Sequence, residues 1–190
     1  VSGDHLNFAV YGNGKKLSGY LIDVTGHGIA TALETAAIRV VIDEYMNSPR
    51  ELSHEIVVEI NQRLARILTE GHFVALLGFT FDFSEWKLTI GTYGINTILA
   101  AAAAWQGTKQ LPGSYLGISN DLENAVVTLP IQPGDKFYFA TDGLTDLLAD
   151  STLPQLSDFE ATCASLRQLA FGQHRWDDCT GIFVNLEGHQ

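Results

Sequence analysis

The chain has 190 residues, 46% of them hydrophobic and 17% charged, and a formal net charge of −11 at pH 7. A domain of that length buries roughly 70% of its unfolded surface, so residues 1–190 read as one domain, and the composition excludes a disordered chain. The acidic balance, with no Lys or Arg cluster beyond Lys15-Lys16, excludes electrostatic capture of a nucleic acid or an anionic membrane, and no apolar run reaches the roughly 20 residues that cross a bilayer.

Taken in order, the first elements are strands over residues 8–11 and 17–24, joined through Asn13-Gly14, a pair that tolerates positive φ in a tight hairpin. From Ile29 the period becomes helical, with Ile29, Leu33, Ala36 and Val40 as the apolar stripe and Glu34 and Asp43 off it. A second helix is expected from Ser48-Pro49-Arg50-Glu51, where Ser48 caps, Pro49 takes the first turn and Glu51 completes a capping box, running to about Leu68. Runs of β-branched and aromatic residues then predict strands over 73–83, 87–93, 97–103, 125–129 and 136–140. A capping box at Ser157-Asp158-Phe159-Glu160 opens a further helix, and residues 181–186 form a last strand. Strands grouped apart from tandem helices, with hairpin-length connections, give an α+β fold with two antiparallel sheets flanked by helices. Cys163 and Cys179 read as buried free thiols of a reducing cytoplasm. The chain opens on Val1, not Met, without a signal peptide, and reads as a cytoplasmic domain excised from a longer regulatory protein.

Four aspartates stand at or beside the ends of strand-like runs: Asp4 after Ser2-Gly3, Asp23 in Asp23-Val24-Thr25-Gly26-His27-Gly28, Asp142 in Thr141-Asp142-Gly143-Leu144-Thr145-Asp146, and Asp177 in Asp177-Asp178-Cys179-Thr180. Partly desolvated carboxylates need a counter-charge, and with only eleven Lys and Arg a divalent metal is the simplest source. Oxygen ligands suit a hard cation, and no Cys or His cluster has zinc spacing.

In order and approximate spacing, these four motifs resemble the metal-dependent protein serine/threonine phosphatase (PPM) superfamily, most closely its bacterial SpoIIE and RsbU-like branch, over essentially the whole chain. The resemblance implies a central antiparallel β-sandwich and two Mn²⁺ or Mg²⁺ ions. It implies that Asp23 bridges both ions, that Asp142 and Asp177 complete one, and that Asp4 with the Val24 carbonyl holds the other. The implied chemistry is hydrolysis of phosphoserine or phosphothreonine by a water activated between two metals, without a covalent phospho-enzyme. His27 is a candidate general acid on the leaving oxygen or, equally, a structural histidine. Asp146 and Asp178 either orient water and a motif turn around the ions or are exposed, capping aspartates.

Relatives in this branch often lie downstream of receiver or other sensor domains and dephosphorylate an anti-anti-sigma (STAS) protein, so the resemblance implies a signalling output domain acting in sigma-factor regulation. Asn7, Ala75 and Gly94-Ile95-Asn96 depart from the usual pattern of the branch. They motivate an alternative, a weak or inactive pseudophosphatase that sequesters a regulatory partner. A metal-dependent phosphodiesterase or nuclease would share the carboxylates but requires a basic surface that this chain lacks.

Overall fold

The computed structural model describes residues 3–26, 28–46, 51–149, 155–172 and 178–188. In chain order the elements are β1 (His5–Tyr11), β2 (Lys16–Val24), α1 (Ile29–Met46), α2 (His54–Leu64), β3 (Val74–Asp82), β4 (Lys87–Tyr93), β5 (Thr97–Ala101), β6 (Gln106–Gln110), β7 (Val126–Pro130), β8 (Lys136–Ala140), α3 (Asp142–Ala149), α4 (Phe159–Gly172) and β9 (Gly181–Asn185). Asn13 takes φ 56° in the first hairpin, as its turn requires, and β1 pairs with β2 from Tyr11↔Lys16 back to His5↔Ile22.

Two antiparallel sheets result, one ordered β1-β2-β3-β4-β7 and the other β6-β5-β8-β9. Alternation along each strand sorts its side chains between two layers. On β2, Tyr20, Ile22 and Val24 face α1 and α2, in a core with Ile38, Ile42, Val57 and Ile60. Leu21 faces the second sheet, where Phe79, Phe81, Phe137 and Phe139 fill the sandwich. Phe79 stacks on Phe139 with ring centroids 4.9 Å apart. Beyond the second sheet, Leu99 and Tyr138 pack against Leu166, with Phe159 of α4 beside them. The architecture is thus helices, sheet, sheet, helices, the expected α+β sandwich. Among the described residues no helix is long and apolar enough to cross a membrane.

Several local expectations are corrected. The stripe Ile29, Leu33, Ala36 and Val40 faces outward: Ile29 is 77%, Leu33 70% and Val40 68% exposed, while Ile38, Val41, Ile42 and Met46 are buried. Helix α1 carries two apolar stripes, and periodicity alone does not rank them. The sheet-facing side is fixed by Asp43, whose carboxylate accepts from the Tyr20 hydroxyl at 2.6 Å and from Asn7 Nδ2 at 2.9 Å. Helix α2 starts at His54, with Ser53 as its cap, accepting from the Ile56 N–H at 3.4 Å; it ends at Leu64. Ser48 and Pro49 lie outside the described residues, and Glu51 pairs with Lys16 at 2.9 Å instead of closing a capping box. Asp158, not Ser157, caps α4 by accepting from the Ala161 N–H at 3.0 Å. Strand β6, whose burial alternates without large apolar residues, and the short helix α3 were not anticipated.

The outward stripe makes a direct test. Ile38→Ala is expected to cost about 2–5 kcal/mol, as for a buried aliphatic side chain, whereas Leu33→Gln should stay within about 0.5 kcal/mol of the parent. Urea unfolding of the two variants checks the difference.

Candidate active site

The same alternation that builds the sandwich sends Asp23 inward. It lies two residues beyond Leu21 on β2 and opposite Ala75 of β3, both of which face the second sheet. Asp4, two residues before the inward-packed Leu6, comes to the same place, since β1 begins where β2 ends. The approach is close because residue 3 is glycine: a Cβ there would lie 2.5 Å from the Val24 carbonyl oxygen and 3.3 Å from Asp23 Oδ1. The Val24 N–H donates to the Gly3 carbonyl at 3.3 Å, fixing the pair.

The second sheet contributes from its own strand ends. Thr141 follows β8 and is fully buried; its hydroxyl donates to Asp4 Oδ2 at 2.9 Å and accepts from the Thr180 N–H at 3.1 Å. This one side chain joins residues 137 positions apart and ties the start of β1 to the approaches of β8 and β9. Asp142 opens α3, exposed, where a negative charge is favoured, and its Oδ1 accepts from the Gly143 N–H at 2.9 Å. Asp178 is exposed, and the Cys179 thiol donates to the Gly143 carbonyl at 2.9 Å. Asp146, exposed on α3, follows Asp142 by one turn. His27 and Asp177 lie outside the described residues.

The electrostatics are those of crowded anions. Burial pushes the Asp4 carboxyl above the usual range; hydrogen bonds from Thr180 and Thr141 and with the Asp23 carboxyl offset this in part, while the charge of Asp178 adds to it. Two carboxyls in hydrogen-bonding contact beside a backbone carbonyl form an oxygen donor set that suits a hard divalent cation. Among the described residues alone, no group of three or more His, Cys, Asp or Glu side chains forms a complete metal cage.

The loop after Asp23 is also anchored. Thr25 exchanges hydrogen bonds with the Phe73 backbone, its N–H and hydroxyl donating to the Phe73 carbonyl and its Oγ1 accepting from the Phe73 N–H at 2.8 Å. Beside it, His72 Nδ1 meets Glu34 Oε2 at 2.6 Å, joining the loop to α1. Thr141, Thr180 and His72 were not singled out from sequence; the only signal was that Thr141 and Thr180 flank motif residues. The departures from the branch pattern have structural work of their own. Asn7 donates to Asp43, where a second carboxylate would repel, and Asn96 accepts from the Gly94 N–H and donates to the Gly113 carbonyl.

The sequence profile of the Stage II sporulation protein E (SpoIIE) family matches residues 13–181. The chain belongs to the SpoIIE family. Solved structures carry the same fold. The SpoIIE PP2C phosphatase domain of Bacillus subtilis, with a fragment of its regulatory domain, aligns at TM-score 0.74 and 18% identity, covering 96% of this chain and 58% of that one. The RsbU and RsbW domains of a Mycobacterium tuberculosis protein align at TM-score 0.76 and 17% identity, covering 98% and 56%. The catalytic domain of the phosphatase PstP, in complex with two manganese ions, aligns at TM-score 0.68 and 14% identity, covering 99% and 93%. This SpoIIE-family chain thus spans little more than half of the first two. No curated protein matches it. The fold is that of the PP2C phosphatases.

Thr141→Val, nearly isosteric, removes the hydroxyl that ties the two sheets at the site. It takes one hydrogen bond from the half-buried Asp4 carboxylate and one from the half-buried Thr180 N–H, and a loss of about 1–3 kcal/mol is expected in urea unfolding.

Proposed function

We propose that this SpoIIE-family domain is a Mn²⁺- or Mg²⁺-dependent phosphoprotein phosphatase that hydrolyses phosphoserine or phosphothreonine on a regulatory protein. The observation that carries the reading is the half-buried contact of Asp4 with Asp23 beside the Val24 carbonyl, at the end of the sandwich where Asp142 also stands. In this reading Asp23, Asp4 and the Val24 carbonyl would hold one ion, and Asp23 with Asp142 and Asp177 would hold the other. When bound, the ions supply an acidified water and offset negative charge on the phosphoryl group.

The chain's own residues then position and orient. Thr141 fixes the Asp4 carboxylate by its hydroxyl, and Gly3 lets the Val24 carbonyl approach. Asp178 and Asp146 orient water at the rim, and His27 gives a proton to the leaving oxygen of the serine or threonine. The substrate we assign is an anti-anti-sigma protein of the STAS type. An upstream receiver or sensor domain provides the input, within a cytoplasmic sigma-factor pathway. The uncovered apolar stripe on α1, which begins five residues after Val24, supports control by contact with another polypeptide. Activity that did not change when the upstream segment was attached, at any metal concentration, would remove that control.

The structural work of Asn7 and Asn96 favours the enzyme over the pseudophosphatase, because those departures serve the scaffold. Hydrolysis of p-nitrophenyl phosphate with and without Mn²⁺, alongside Asp142→Asn, tests the reading. Turnover that requires Mn²⁺ and disappears in the variant is expected. Absence of turnover on both this ester and a phosphorylated STAS protein, with metal bound, would establish the pseudophosphatase instead.

A further inference from the structure

At the far end of the sandwich, the full length of β2 from Asp23 and so roughly 25 Å away, lies a cavity of about 440 Å³ lined by Gly14, Phe83, Trp86, Asn185, Leu186 and Glu187. Its volume is in the range of small-ligand sites. We propose that this cavity binds an organic cation with a methylated ammonium head, held against Phe83 and Trp86 and neutralised by Glu187.

The aromatic walls are set at a steep angle, with Phe83 and Trp86 ring centroids 6.4 Å apart and planes 77° apart. Trp86 is held there at a conformational cost: its φ is 49°, a left-handed conformation that a bulky residue rarely adopts. The turn that imposes it is over-determined. Buried Asp82 accepts from the Ser84 N–H, the Ser84 hydroxyl and the Glu85 N–H, and it pairs with Lys16 at 3.0 Å, while the Trp86 carbonyl accepts from the Ile131 N–H at 2.9 Å. A glycine or asparagine would fit this turn without strain, yet the chain places an indole there, 42% exposed, over a cavity.

The charge pattern selects the ligand. Lys16 and Lys87 are engaged with Glu51, Asp82 and Glu85, and Lys136 donates to the Gly134 carbonyl. Among the described residues no Lys or Arg pairs with Glu187, which accepts only from Asn185 Nδ2, at 3.4 Å. Two aromatic rings and a carboxylate left for a partner attract a cation, and a quaternary or methylated ammonium, weakly hydrated, gives up least water on entering. An anion would meet both Glu187 and a chain of net charge −11. The same head group occurs on free small molecules and on methylated lysine side chains.

Titration of the ¹⁵N-labelled domain with tetramethylammonium chloride, read at the Trp86 indole N–H, tests the proposal. A saturable shift is expected that sodium chloride at equal ionic strength does not produce. Glu187→Gln, on the surface, should weaken the affinity about 2- to 30-fold, the span of single cation–aromatic or ion contacts. Trp86→Asn, read at the Phe83 and Glu187 backbone amides because the indole reporter is gone, should lose the saturable shift that these amides show in the parent, while keeping the parent's thermal midpoint or raising it, since asparagine accepts the left-handed turn. A trimethyllysine peptide binding more than tenfold tighter than tetramethylammonium would assign a protein side chain as ligand, and equal affinity a free small cation. No saturable shift with either probe, or a shift that Glu187→Gln leaves unchanged, overturns the proposal.

Discussion

Asp23→Asn is expected to abolish metal-dependent hydrolysis while raising the thermal midpoint of the metal-free domain. Both effects have one cause. The Asp23 carboxyl is turned into the sandwich end by strand alternation and meets the Asp4 carboxyl, itself pushed toward the protonated form by burial and the charge of Asp178. An amide at position 23 still donates to the Asp4 carboxylate but no longer requires a proton to be held between two carboxyls, and for a domain of this size each kcal/mol recovered moves the midpoint by about 2–4 °C. Removing a group that merely orients a metal ligand costs about 10–100-fold, so losing the side chain proposed as a ligand to both ions should exceed a hundredfold. Assays at saturating Mn²⁺ and thermal unfolding in chelator measure the two arms. A variant as active as the parent, or destabilised without metal, would contradict the assignment.

Gly143→Ala is expected to be the most damaging single methyl in the site. A Cβ at position 143 would fall 2.0 Å from the Asp178 carbonyl oxygen and 3.1 Å from its carbon, so the obstacle is backbone, with no rotamer to turn away. Either α3 or the 178–180 segment must retreat, which parts Asp142 from the approach to β9 and pulls Thr180 from Thr141. Overpacking of this kind costs about 1–3 kcal/mol, a midpoint drop of roughly 2–12 °C at this size, and activity should fall by at least about tenfold with it. Parent-like stability and turnover together would show that α3 and this segment do not pack as described.

Much of this architecture was legible in the chain. The Asn13-Gly14 hairpin, the strand periods and the change to helical period at Ile29 are local features, and local chemistry decides them. What sequence could not rank was which stripe of α1 turns inward, because the deciding contacts run from Asp43 to Tyr20 and Asn7 across 23 and 36 residues. The choice of Ser53 over Ser48, and of Asp158 over Ser157, as caps is of the same kind: neighbouring capping residues compete, and tertiary packing sets where each helix begins. Strand β6 lacked a hydrophobic alternation to announce it, since its residues are Gln106, Gly107, Thr108, Lys109 and Gln110, with none of them apolar and large.

For the site, the motifs pointed to the aspartates, and the structure brings Asp4, Asp23 and the Val24 carbonyl together. The part of the site that sequence did not suggest is its fastening. Thr141 holds Asp4 and Thr180 across two sheets, and Gly3 and Gly143 clear space for the Val24 and Asp178 carbonyls. These contacts exist only once two sheets are stacked, so no window along the chain contains them.

Calorimetric titration of the metal-free domain with Mn²⁺, in parallel with Asp23→Asn, tests the central claim most directly. Two ions bound per chain, with saturable binding lost in the variant, is the predicted result; no saturable binding to the parent, or binding that Asp23→Asn leaves intact, would contradict it.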